Sequence, residues 1–220
     1  MKTRIEKDCL GEIEVDSTKY WKSQTQRSLE NFKIGKELMP VSIIKSFALL
    51  KKACALANFH FNKITDEQCD AIVTICEKIQ NGLYMDQFPL HVWQTGSGTQ
   101  TNMNLNEVIS MLGNEYTQKN ILHPNDTVNK SQSSNDTFPA ALHIMIATKI
   151  TNELLPVLDE IIMVLKRLEK ENEGIIKIGR THLQDATPLY LSQEISGYRS
   201  MFEHNKKQIL QALDSVYELA

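Results

Sequence analysis

No uninterrupted apolar run in this 220-residue sequence approaches the length needed to cross a bilayer, and Met1–Glu6 is followed by no apolar core of the signal-peptide kind. A cytoplasmic protein is expected. Charge of one sign is lacking too: 24 Lys and Arg against 27 Asp and Glu leave a formal net charge of −3, with the two signs interspersed. Such a chain has no electrostatic footprint for nucleic acid or an anionic membrane, and neither is expected as a partner. Cysteine is scarce, and Cys9, Cys54, Cys69 and Cys76 form no Cys-x-x-Cys pair. Three of them lie in apolar-periodic segments, which favours buried free thiols over disulfides or a metal centre. The six histidines include no His-Glu-x-x-His or other close ligand pair, so no metal or cofactor is expected. Repeats, low-complexity tracts and clear linkers are missing as well. Sequons at Asn125, Asn129 and Asn135 carry no expectation of glycosylation without a secretory signal.

What is present is a length able to bury a sizeable core and an apolar pattern that is mostly helical. Ile5, Cys9, Ile13 and Val15 around Gly11 predict a short extended pair, with Glu12 and Glu14 alternating against the apolar residues. From Val41 a helix is expected, with Phe47, Leu50, Cys54, Ala57 and Phe61 on its inner face. A second helix should begin after Thr65, capped reciprocally with Gln68, and end near Gly82. Its stripe is Ile72, Cys76, Ile79 and Leu83. Beyond residue 138 comes a long helical region through Leu142, Ile150, Leu158 and Leu168, kinked or restarted at Pro156 and ended at Gly174. A last helix carries Leu191, Ile195, Tyr198, Phe202, Ile209, Leu213 and Val216, and its pattern is still running where the sequence stops. The expected fold is mainly α: a small N-terminal helical domain with a β-hairpin over residues 1–134, then the first long helices of a bundle over 135–220. Helices with so continuous an apolar stripe need partners from further chain or other subunits.

Between these elements lie stretches of small polar residues. Asn129 to Pro139 should be a polar loop feeding a helix, with Pro139 in the first turn, where backbone N–H groups lack partners. Those N–H groups, with Ser133, Ser134 and Asn135, could bind a carboxylate; an ordinary capped helix start is the alternative. Gln94 to Asn104 holds two glycines flanked by hydroxyls ahead of a helical pattern through Val108, Ile109 and Leu112. It has neither Gly-x-Gly-x-x-Gly spacing nor a Gly-Lys-Ser/Thr ending, so a nucleotide is not indicated. The third stretch, Gly179 to Pro188, ends in Thr187-Pro188, a suitable cap and first-turn pair for the last helix. Three such stretches favour a binding site over three unrelated caps.

Gly96-Ser97-Gly98-Thr99-Gln100-Thr101-Asn102-Met103-Asn104, Lys130-Ser131-Gln132-Ser133-Ser134-Asn135-Asp136-Thr137-Phe138-Pro139 and Gly179-Arg180-Thr181-His182-Leu183-Gln184-Asp185-Ala186-Thr187-Pro188, in that order, resemble the class II fumarate hydratases. The segments around Arg4–Val15 and Gln24–Phe32 resemble that family's N-terminus, so the likeness covers the whole chain. Aspartate ammonia-lyases of the same superfamily have alanine where Ser97 stands and glutamine where His182 stands. Histidine can exchange a proton near neutral pH and glutamine cannot.

The resemblance implies reversible anti addition of water to fumarate, giving (S)-malate, as in the tricarboxylic acid cycle. It implies His182 as the acid/base residue, acting through a water, and Ser97, Thr99, Ser133, Ser134, Asn135 and Thr181 as substrate-binding donors. His123, Asn125 and Asp126 match the family's second dicarboxylate site. Arg180 and Lys130 are expected in structural ion pairs, with Gln184 and Asp185 bracing their loop. A homotetramer is implied, each active site drawing one stretch from each of three subunits. Family members are longer, and their second half carries a Gly-Ser-Ser-x-Met-Pro-Gly-Lys-x-Asn-Pro loop with the proposed base and further substrate ligands. That loop is not in this sequence, so the chain is expected to hold part of a site and to be inactive alone. Two other readings stand: another lyase of the superfamily, such as an aspartate ammonia-lyase, and a helical assembly module without chemistry.

Overall fold

The computed structural model describes residues 2–219, which separate into two compact units: residues 2–145 with Leu219, and residues 146–218. The first unit opens on an antiparallel hairpin of β1 (Thr3–Asp8) and β2 (Gly11–Asp16), in which Arg4 faces Val15 and Glu6 faces Ile13. Its faces are not those expected from the apolar residues. Ile5 is 59 % exposed, and Arg4, Glu6 and Asp8 share the inner face with Ile13 and Val15. Hydrogen bonding explains the inversion: the Arg4 guanidinium donates to the carbonyl oxygens of Asp16, Lys19 and Trp21 at 2.9, 2.7 and 2.5 Å. Asp8 in turn accepts from Arg27 Nε at 3.0 Å and Nη2 at 2.9 Å, tying the hairpin to α1 (Ser23–Asn31). Fully partnered polar groups can occupy an inner face that unpaired ones could not.

α2 (Val41–His60) and α3 (Asp66–Gln80) pack together, and α3 starts as expected, with Thr65 and Gln68 in a reciprocal cap. The buried stripe of α2 is rotated from the expected one. Ile43, Ile44, Phe47, Ala48, Lys51, Ala55 and Asn58 are buried, whereas Phe61 is exposed. Of the α3 stripe, Ile72, Cys76 and Ile79 are buried and Leu83 is not. α4 (Thr99–Thr117) packs against α1, α2 and α3 and is buried on several faces, polar residues included. One of these, Glu107, accepts from the backbone N–H of Lys22, Gln24 and Thr25 and from the Thr25 hydroxyl, so it caps α1 from a distant part of the chain. Lys22, the residue at the cap position of α1, supplies no side-chain cap of its own.

α5 (Ser134–Lys149) starts earlier than its proline suggests. Ser133 Oγ accepts from Asn135 N at 3.2 Å, so Ser134–Thr137 form the first turn and Pro139 sits inside the helix. A cap set by a serine hydroxyl fixes the start more firmly than a proline that is merely tolerated nearby.

In the second unit a single π turn at Ile150–Leu154 leads into α6 (Leu155–Glu171), with Pro156 in its first turn. A hairpin of β3 (Ile176–Thr181) and β4 (Gln184–Tyr190) follows, then α7 (Leu191–Val216), which packs on α6. The hairpin corrects the reading of Thr187-Pro188 as a helix start: both lie in β4, with Pro188 opposite Ile178. α7 begins at Leu191, where Gln193 Oε1 accepts from Tyr190 N at 2.9 Å. The stripe on α7 lies partly as expected, with Leu213 buried and Tyr198 exposed. Met163, Val157, Met201 and Leu210 are exposed, a large apolar surface on the α6–α7 pair.

Candidate active site

Thr99 and Ser134 are the first residues of α4 and α5, and their hydroxyl oxygens lie 2.9 Å apart. Ser97 Oγ is 3.1 Å from Thr99 Oγ1, which makes a chain of three hydroxyls from two sequence-distant stretches. Gly98 allows the arrangement. Its φ of +73° is the left-handed conformation that glycine adopts freely, and a Cβ there would fall 2.1 Å from the Phe138 ring. Phe138, one turn into α5, thus seats directly on the backbone that starts α4. Two helix N-termini meet at this point; the first-turn N–H groups of Asn135, Asp136 and Thr137 in α5 are already bonded to Ser133, and the partial positive charge of both helix ends favours an anion beside the hydroxyls. Ser133 and Asn135 are exposed beside the cluster, at the start of α5.

The loop behind these donors is held by a buried lysine that no local sequence pattern marks. Lys51, fully buried on α2, donates to Asn129 Oδ1 at 2.9 Å and Gln132 Oε1 at 2.8 Å. Burial lowers its pKa from 10.5 to about 7. Glu107 is the other buried charge among the described residues of the unit; burial pushes its carboxyl pKa up, against four hydrogen bonds that favour the ionised form. A long sequence separation hid both residues' partners.

His123 and Asn125 line one cavity of about 500 Å³ together with Thr99, Lys7 and Lys22. His123 caps the π turn Pro124–Val128, its Nδ1 accepting from Asn125 N at 3.3 Å and Asp126 N at 3.2 Å, with Asp126 Oδ2 3.0 Å away. The first unit therefore brings Ser97, Thr99 and Ser134 together and connects Thr99 with His123 and Asn125 through shared space.

Thr181 and His182 belong to the second unit. Thr181 pairs with Gln184 at the end of the β3–β4 hairpin, and His182 and Leu183 form its two-residue turn with φ of +50° and +63°. Such turns usually take Asn-Gly, because both positions need a left-handed backbone that ordinary side chains resist. His182 is exposed, and Leu183 beside it is 89 % exposed. At the base of the turn Arg180 and Asp185 form an exposed ion pair at 3.9 Å, so Arg180 lies in the kind of pair expected of it. Gly179 marks a bulge, where a Cβ would lie 2.7 Å from the Thr187 carbonyl oxygen. Among the described residues no group of three or more His, Cys, Asp or Glu is arranged to hold a metal ion, and no helix is long and apolar enough to cross a membrane.

The chain is 53 % identical to the class II fumarate hydratase of Helicobacter pylori strain J99, over all of this chain and 49 % of that protein. It is 50 % identical to the class II fumarate hydratase of Bacillus subtilis, over all of this chain and 48 % of that one. Among solved structures, a class II fumarase from Schistosoma mansoni matches with a TM-score of 0.94 at 42 % identity, covering 99 % of this chain and 47 % of that one. The native form of a fumarate lyase:delta crystallin from Brucella melitensis matches with a TM-score of 0.92 at 34 % identity, covering 99 % and 52 %. The chain spans about half the length of these relatives. The Lyase family model matches residues 11–220, and the chain belongs to that family.

Proposed function

We propose that the protein containing this chain is a fumarate hydratase, adding water reversibly and anti across the double bond of fumarate to give (S)-malate. The observation that carries the reading is the Ser97–Thr99–Ser134 hydroxyl chain at two converging helix N-termini. The similarity to class II fumarate hydratases supports it. Removing a proton beside a carboxylate builds a second negative charge on that carboxylate, and preorganised neutral donors aimed at it lower the barrier. Ser97, Thr99, Ser133, Ser134, Asn135 and Thr181 are assigned this role. His182 is assigned proton exchange through a water, and its exposed place on a tight turn suits presentation to substrate. His123, Asn125 and Asp126 are assigned a second dicarboxylate site near the entrance; His123 and Asn125 line a cavity of mixed charge, with Lys7 and Lys22 beside Glu6, Asp8 and Glu107. The reading invokes no cofactor.

The same reading takes residues 1–134 as an N-terminal lyase domain and 135–220 as the opening of the central bundle. It also takes a homotetramer, which would cover the exposed apolar residues of α6 and α7, and a cytoplasmic enzyme of the tricarboxylic acid cycle. The test is a substrate comparison on the full-length protein: fumarate–malate interconversion followed by absorbance of the double bond, against ammonia release from aspartate. Interconversion without ammonia release is expected. Ammonia release with fumarate left unhydrated would reassign the protein to the ammonia-lyases, and inertness towards both would leave an assembly module.

A further inference from the structure

Lys51 holds a position whose stability cost is out of proportion to any packing it provides. It is 0 % exposed, and lysine is almost never buried so deeply without a charged partner. Its hydrogen-bond partners are neutral carbonyl oxygens, Asn129 Oδ1 and Gln132 Oε1, and the Phe47 ring lies 5.6 Å from its Nζ. The titratable groups acting on it are the thiols of Cys54 on its own helix and Cys76 on α3. Burial raises both thiol pKa values, so neither supplies a counter-charge near neutral pH. An apolar side chain would fill this space at lower cost.

The lysine is instead the hub of the turn at residues 128–132. Asn129 Oδ1 also accepts from Asn102 on α4, and Asn129 Nδ2 donates to the Gln132 carbonyl at 3.1 Å. Gln132 Nε2 donates to the Val128 carbonyl at 3.0 Å, and Asn58, about two turns further along the buried side of α2, donates to the Lys130 carbonyl at 2.9 Å. Ser131 within this turn has a φ of +59°, a backbone state that needs such support. Gln132 is followed directly by Ser133, whose hydroxyl starts α5.

We propose that Lys51 is a positioning residue for dicarboxylate binding: by gripping Asn129 and Gln132 from behind, it sets where Ser133, Ser134 and Asn135 stand, without touching substrate itself. The proposal rests on the dicarboxylate reading of those three residues. A misplacement of donors by a fraction of an ångström weakens both ground-state and transition-state binding.

Two measurements on full-length Lys51→Met test it: hydrogen exchange across amides 129–137 and the steady-state constants for fumarate. Expected are faster exchange confined to that stretch, and a KM raised about tenfold or more with a smaller loss in kcat, while cooperative unfolding is retained. Unchanged exchange, or an unchanged KM in a folded variant, would overturn the proposal. Should Lys51→Met fail to fold, Gln132→Met decides. It leaves Lys51 in place but removes one acceptor, so the same changes are expected at smaller size, and their absence would overturn the proposal equally. Should the wild-type protein not hydrate fumarate, the functional reading fails, and the exchange measurement still decides the role of Lys51 in ordering the turn.

Discussion

The Phe138 ring lies so close against Gly98 that a Cβ on the glycine would come within 2.1 Å of the ring's Cγ. This one contact sets α5 against the start of α4 and brings the Ser134 hydroxyl to Thr99.

Gly98→Ala should therefore be destabilising on two counts, the overpacking against Phe138 and the left-handed φ of +73°. Together they are worth on the order of 2–4 kcal/mol. Chemical denaturation of the variant should show the loss. Ser97→Ala, at an exposed position in the same loop, should stay within about 0.5 kcal/mol of wild type.

Acid stability should depend on Asp8. The Arg27 guanidinium holds its carboxyl at about 2 against an ordinary 3.8. A carboxyl with a depressed folded-state pKa stabilises the fold fully above its unfolded value, and the contribution fades as pH falls from about 4 towards 2. Asp8→Asn should lower stability at pH 7 by on the order of 1–2 kcal/mol and make the acid limb of the stability curve shallower. Denaturant midpoints from pH 7 down to pH 2 measure both effects.

Lys51 should act in the same pH sense, in a higher window. With a native pKa of about 7 against 10.5 unfolded, it is charged in both states below pH 7, where its burial costs most. Above pH 7 the native amine is neutral and the unfolded one is not, so unfolding takes up a proton and stability rises with pH. The Cys76 thiol, pushed up from 9.0 to about 12, opposes this only above pH 9. Between pH 7 and 9 the wild type should thus gain on the order of 2 kcal/mol relative to Lys51→Met. Parallel curves for the two proteins would show that the lysine is not held in this state.

What could be read in the sequence was what nearby residues decide. Thr65 and Gln68 cap α3 across three residues, and the capping pair is plain in the chain. The chemistry of the polar stretches was legible, but their meeting was not, because Thr99 and Ser134 are joined by packing at Gly98 and Phe138 rather than by any local pattern. Lys51 was illegible for a related reason. A lysine marks the outward face of a helix unless its partners are known, and here they lie 78 and 81 residues away. Glu107 has the same history, as a cap for α1 drawn from α4. The β3–β4 hairpin was hidden by its composition. Arg180-Thr181 and Thr187-Pro188 show no alternation of apolar and polar residues, and a Thr-Pro pair resembles a helix start more than a strand.

His182→Asn in the full-length protein decides whether this histidine exchanges the proton, measured as fumarate–malate interconversion beside the wild type and beside the isolated 220-residue chain. Expected are turnover in the wild type, a loss of about two orders of magnitude or more in the variant with its fold intact, and no turnover in the isolated chain. Undiminished turnover in His182→Asn would contradict the assignment of His182, and a full-length wild type that leaves fumarate untouched would contradict the account as a whole.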